Sequence, residues 1–166
     1  MRLARAAPVV ALALLVTACG WQLRGAGGGG FEGVPVAISG DIGNRFRDRL
    51  AERLRDLDAR VVADATDARV VIDIMAVSSR RRTVTTDVEG LARDYELRYQ
   101  IRFGLEAGGQ ADPQQATITG QTVRASAGFA ADPDNPQGRA AEEESLRRDL
   151  QEEVLQLLLS RIGRRL

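Results

Sequence analysis

Histidine and lysine are absent from this 166-residue sequence, and cysteine occurs once, at Cys19. The missing histidine excludes an imidazole base, and with one cysteine the chain can form neither an internal disulfide nor a Cys/His zinc site. No spacing of Ser, Asp and Glu supplies a nucleophile with a nameable base, so the sequence points away from an enzyme and toward no metal or other cofactor. All 23 basic residues are arginine and balance 23 acids, which leaves no net charge to draw nucleic acid. Because arginine is the only base used, any single arginine is weaker evidence for a site than it would be in a mixed Lys/Arg chain.

The sequence also lacks an apolar run long enough to cross a bilayer, which takes roughly 20 residues. Its longest candidate, Ala6 to Ala18, follows Arg2 and Arg5 and has the length and flanks of a signal peptide. The last three positions of this stretch and the cysteine after them, Val16-Thr17-Ala18-Cys19, resemble the bacterial lipoprotein box, in which the cysteine thiol is acylated and becomes the mature N-terminus. An ordinary signal peptide beside a free thiol is the competing reading, and a lone thiol is awkward in an oxidising periplasm. Gly20, where an Asp would favour inner-membrane retention, points to the outer membrane. Expected domains are therefore a signal peptide over 1–18, a lipidated N-terminus and Gly-rich tether over 19–33, and one domain over 34–166. The tether's Gly27 to Gly30 run precedes a strand and contains no lysine, unlike a phosphate loop.

Val34 to Ile38 reads as a short strand that Pro35 confines to an edge or a strand start. Ile42, Phe46, Leu50, Leu54 and Leu57 then recur every three or four positions, predicting an amphipathic helix with Asp41 placed to cap it. Val61 and Val62 mark a short strand or connection. Val70, Ile72, Ile74 and Ala76 share one face of a strand that can run on to Thr86, and Asp87 to Gly90 is a turn. Leu91, Tyr95, Leu97, Tyr99, Ile101, Phe103 and Leu105 all fall on odd positions, with mostly charged residues between them, so a long strand with one wet face follows. Tyr95, Tyr99 and Phe103 at this spacing are expected in the core rather than in a binding stripe. Ala116 to Ala127 is the next strand. Asp132 to Gly138 lacks the sixth-position Gly and closing Glu of a calcium loop and is expected to turn into a helix from about Arg139 to Arg161. That helix carries Leu146, Leu150, Val154, Leu157 and Leu158 on one face. The expected fold is an α+β two-layer sandwich, two amphipathic helices on one face of a mostly antiparallel four-stranded sheet.

Three stretches together resemble the LptE family of lipopolysaccharide-assembly lipoproteins. They are Cys19-Gly20-Trp21-Gln22-Leu23-Arg24-Gly25, the strand opening Asp94-Tyr95-Glu96-Leu97, and Asp134-Asn135-Pro136 followed by Glu142 to Glu144. The resemblance implies a non-enzymatic outer-membrane lipoprotein that plugs the β-barrel LptD, assists that barrel's assembly and binds lipopolysaccharide on its way to the outer leaflet. The implied fold, two helices on a four-stranded sheet, agrees with the pattern above. Trp21, two residues past the anchor, is expected at the membrane interface or against the barrel.

Lipopolysaccharide phosphates call for cations, and the planar arginine fork takes oxyanions in bidentate fashion. The candidates are Arg80, Arg81 and Arg82 near the hairpin tip, Arg93 across the turn, and Arg139, where the resemblance implies a basic residue. The bland reading keeps these arginines as solubilising groups at loop tips and strand edges, or as contacts to the barrel wall. A different class of function stays open at this level: a free-standing periplasmic lipoprotein domain that binds lipid or peptidoglycan without a barrel.

Overall fold

The computed structural model describes residues 30–112, 117–130 and 135–166. The signal peptide, Cys19, Trp21 and the rest of the opening motif, as well as Asp132 to Asp134, lie outside the described residues. In chain order the elements are β1 (Pro35–Ser39), α1 (Asn44–Asp56), β2 (Arg60–Val61), a 3-10 turn (Ala65–Asp67), β3 (Val70–Thr86), β4 (Ala92–Ala107), β5 (Ile118–Ala130) and α2 (Pro136–Gly163).

The sheet has five strands in the order β2-β1-β3-β4-β5 and is mixed, which corrects the expected four-stranded, mostly antiparallel sheet. β1 runs parallel to both β2 and β3, while β3-β4 and β4-β5 are antiparallel. A parallel neighbour needs a crossover rather than a tight turn, and α1 provides the one between β1 and β2. β2 pairs through only two residues, Arg60 and Val61, too few to show a periodicity.

One core forms between the sheet and both helices. The odd positions Leu97, Tyr99, Ile101, Phe103 and Leu105 of β4 are all buried, as their alternation requires. They pack with Phe46, Leu50 and Leu54 of α1 and with Leu150, Val154, Leu155, Leu158, Leu159 and Ile162 of α2. Each fully buried Leu or Ile contributes about 1.5–3 kcal/mol relative to exposure. Burial also disfavours the phenolate of Tyr99 and pushes that hydroxyl's pKa up. The helices are tied at the surface by Glu152 of α2, which accepts from Arg49 at 2.7 Å and Arg53 at 2.8 Å of α1. Glu152 in turn raises the pKa of Arg53.

Local details depart from the sequence pattern for identifiable reasons. Asp41 does not cap α1: Gly43 occupies the cap with no side-chain hydrogen bond. Arg47 instead secures the approach to this helix, donating to the Ile38 and Gly40 carbonyls at 2.7 Å each. α2 begins at Pro136, one turn before the expected start. Asn135 caps it by accepting from the Gly138 N–H at 2.9 Å, and Pro136 fills the first turn, where its missing N–H costs nothing. Leu157 is exposed; Leu155, Leu159 and Ile162 take the buried face that it was expected to share. Leu91 lies outside β4 and is also exposed. Phe31 is buried in the core, so packed structure starts upstream of Val34.

The most consequential departure is in β3. Val70, Ile72 and Ile74 face the core, but pairing shifts between Ile74 and Ala76. The bulge at Met75 inverts the alternation, so Val77, Ser79, Arg81 and Thr83 oppose the core-side positions Ile101, Tyr99, Leu97 and Tyr95 of β4. Ala76, which a regular strand would bury, is exposed on the far face.

Candidate functional site on the arginine-bearing hairpin

β3 and β4 form a long hairpin closed by Asp87, Val88, Glu89 and Gly90. Gly90 adopts φ +83°, the left-handed region that favours glycine, and the Asp87 carboxylate accepts from the Leu91 N–H at 2.7 Å. Arg93 lies 3.0 Å from the same Asp87 carboxylate and so braces the turn.

Strand alternation separates the arginine triplet, and the bulge decides which face each member takes. Arg80 and Arg82 stand on the open face of the sheet. Arg81 points toward the helices, where it donates to Glu143 of α2 at 2.6 Å and lies 4.8 Å over the Tyr95 ring. Tyr95 in turn packs on Phe129 with ring centroids 5.4 Å apart. Arg82 is bonded to Glu96, which also lies 3.4 Å from Arg98. The Arg82 guanidinium, and after it the Ser126 hydroxyl, hold the Glu96 carboxyl below its ordinary range. Arg80 makes no ion pair among the described residues. Arg139 is half-buried in the first turn of α2 and makes no ion pair among the described residues. The structure thus brings Arg80 and Arg82 onto one face and gives Arg81, Arg82 and Arg93 partners within the domain. It does not gather all five candidates.

Three arginines outside that candidate set share the open face with Arg80. Strand register sets Arg98 directly opposite Arg80, Arg102 four residues further along β4, and Arg124 of β5 opposite Gln100 between them. The even-numbered polar positions of β4 were visible in the sequence. That they join Arg80 and Arg124 into one group depends on the bulge and the register, which no single strand encodes.

At the hairpin tip, Val84, Val88 and Leu91 are exposed by 54%, 97% and 61%, the most open large apolar side chains described. Across the molecule, Phe31, Leu57 and Leu159 line an apolar groove of about 440 Å³ rimmed by Arg53, Asp56 and Arg164. Among the described residues, no group of three or more His, Cys, Asp or Glu could hold a metal ion. None of the described helices is long and apolar enough to cross a membrane.

A sheet with one face covered by helices, the other bearing arginines, and an apolar hairpin tip defines a binding and assembly module. The family model described as "LptE: Lipopolysaccharide-assembly" matches residues 31–162, and the chain belongs to that family, whose members are non-enzymatic lipopolysaccharide-assembly lipoproteins. The chain is similar in structure to lipoprotein B from Nitrosomonas europaea, solved in solution, at TM-score 0.70 and 25% identity over 87% of this chain and 90% of that one. It is also similar to rare lipoprotein B from Shewanella oneidensis, at TM-score 0.66 and 20% identity over 78% and 93% of the two chains. A minor lipoprotein from Acinetobacter baumannii matches at TM-score 0.60 and 19% identity over 78% and 90%. No curated protein matches the chain.

Proposed function

We propose that this chain is an outer-membrane lipoprotein that plugs the β-barrel LptD, assists its assembly and binds lipopolysaccharide in transit to the outer leaflet. The family match over residues 31–162 carries this reading. Export would remove residues 1–18, and Cys19 would carry a diacylglyceryl thioether and an N-linked acyl chain such as palmitate. Several buried acyl chains, at about 0.8 kcal/mol per methylene, make such an anchor effectively permanent.

Two features of the domain support a partner and an anionic ligand. The exposed Val84, Val88 and Leu91 gather apolar surface at the end of a projecting hairpin, which suits insertion against a protein wall better than exposure to water. Arg80, Arg82, Arg93 and Arg139, with Arg81 on the helix side, place guanidinium groups about the hairpin and the start of α2, where phosphates can be met by bidentate hydrogen bonds. Copurification from detergent-solubilised outer membranes tests the reading. Recovery together with a large barrel protein is expected; recovery of the lipoprotein alone would favour a free-standing periplasmic domain instead.

A further inference from the structure

We infer that the open face of β3, β4 and β5 is a binding site for a headgroup carrying two or more phosphates, held by Arg80, Arg98, Arg102 and Arg124. The identity of that headgroup, lipopolysaccharide, rests on the proposed function; the arginine grid does not.

Strand register defines three successive rows on this face: Ala76-Arg102-Thr122, Ser78-Gln100-Arg124 and Arg80-Arg98-Ser126. These nine positions contain four arginines and no carboxylate. Rows lie about 6.8 Å apart and strands about 4.8 Å apart, so the grid measures roughly 14 by 10 Å, the footprint of a small headgroup. Neither helix packs on this face.

The grid concentrates positive charge locally in a chain whose 23 arginines and 23 acids balance only over its whole length. Arg49, Arg53, Arg81, Arg82, Arg93 and Arg147 all have carboxylate partners. Arg80, Arg102 and Arg124 have none among the described residues, and Arg98 has only a 3.4 Å contact to Glu96, which Arg82 already engages. Arg80 and Arg98 sit directly opposite each other, a like-charge pairing that destabilises an antiparallel sheet. An oxyanion between them converts that repulsion into attraction. Ser78, Gln100 and Thr122 add neutral hydrogen-bonding groups in the same rows, while the Ser126 hydroxyl is engaged by Glu96. None of the nine residues is a large apolar or aromatic side chain, so the face lacks the apolar core of a protein interface and suits a small polyanion better.

The test uses the mature protein in detergent, titrated with purified lipopolysaccharide, with its dephosphorylated form and with phosphatidylglycerol vesicles. The double variant Arg98→Gln/Arg124→Gln is compared with Arg45→Gln/Arg55→Gln, which removes the same charge from the exposed side of α1. Thermal unfolding verifies that both variants are folded. The grid variant is expected to bind lipopolysaccharide at least tenfold more weakly and the α1 variant within twofold of wild type. Wild type is expected to lose a similar factor on the dephosphorylated form. Equal losses in both variants, or none in either, would overturn the grid while leaving lipopolysaccharide binding intact. Vesicles bound as tightly as lipopolysaccharide would overturn the requirement for a multiply phosphorylated headgroup. Unchanged lipopolysaccharide affinity with lost barrel copurification would make the face a protein interface, against the inference. If wild type binds no lipopolysaccharide, the ligand reading fails and inorganic tripolyphosphate decides the grid: binding lost in the grid variant supports it, and no binding by wild type overturns it.

Discussion

Arg81 of β3 reaches Glu143 of α2 at 2.6 Å while its guanidinium lies 4.8 Å over the Tyr95 ring, so one side chain ties the hairpin to the early turns of the last helix. Because Arg81 is almost half exposed, the pair is screened, and the ion pair and ring contact together are worth only about 1 kcal/mol. Arg81→Ala should therefore lower stability by about 1 kcal/mol in urea unfolding and speed amide exchange in α2 between Glu142 and Leu146. Unchanged exchange there would show that Arg81 does not secure the helix.

Arg80 carries the opposite expectation. Relieving the like-charge pair with Arg98 by Arg80→Gln should raise stability by about 0.2–1 kcal/mol, measured by chemical denaturation at low salt, with the gain shrinking as salt screens the repulsion. A loss of stability would mean that Arg80 has a structural role.

Gly40 has φ +108°, and a Cβ built there would lie 2.1 Å from the Ile74 carbonyl oxygen. Gly40→Ala must both strain the backbone and displace β3, at a cost of about 3 kcal/mol. Gly43→Ala, with nothing within 4 Å of the new methyl, should cost under about 1 kcal/mol. Equal effects in thermal unfolding would contradict the close approach of β1 and β3 at this point.

Glu96 gives a pH signature. Its folded pKa is lowered, first by the Arg82 hydrogen bond, so its contribution to stability is present above the ordinary carboxylate value of about 4.3 and is lost as pH falls through the lowered folded value. A carboxyl NMR titration should place Glu96 below that ordinary value, and Arg82→Gln should move it upward. A Glu96 titration insensitive to Arg82→Gln would remove the pair from the open face.

How much was legible in the sequence varied with the length of the signal. The strict alternation from Tyr95 to Leu105 placed β4 and its buried face correctly, because one inverted residue would have exposed a large side chain. The first helix was equally plain from Ile42 to Leu57, but its cap was not, since Asp41 sits two residues too early and Arg47 does the securing from inside the helix. The two-residue β2 and the parallel pairings of β1 leave no local pattern, and the bulge at Met75 is invisible where Ala76 reads as the next apolar position. Those omissions matter for the site. That Arg80 and Arg82 share one face and Arg81 takes the other follows from strand alternation alone, but which face is open depends on the bulge, and Arg98, Arg102 and Arg124 join Arg80 only once three strands are in register. In α2 a leucine-rich run fits more than one helical face, so the sequence does not distinguish the buried Leu155, Leu159 and Ile162 from the exposed Leu157.

The central claim, that this domain works in contact with a barrel, is tested most directly at the hairpin tip. A photo-crosslinking residue in place of Val88, which is 97% exposed, should trap a large outer-membrane barrel protein in intact cells, whereas the same residue at Asp48 on the exposed side of α1 serves for comparison. The account predicts a covalent adduct of this chain with one barrel protein from position 88. Abundant, correctly anchored lipoprotein with no barrel adduct from either position would contradict it.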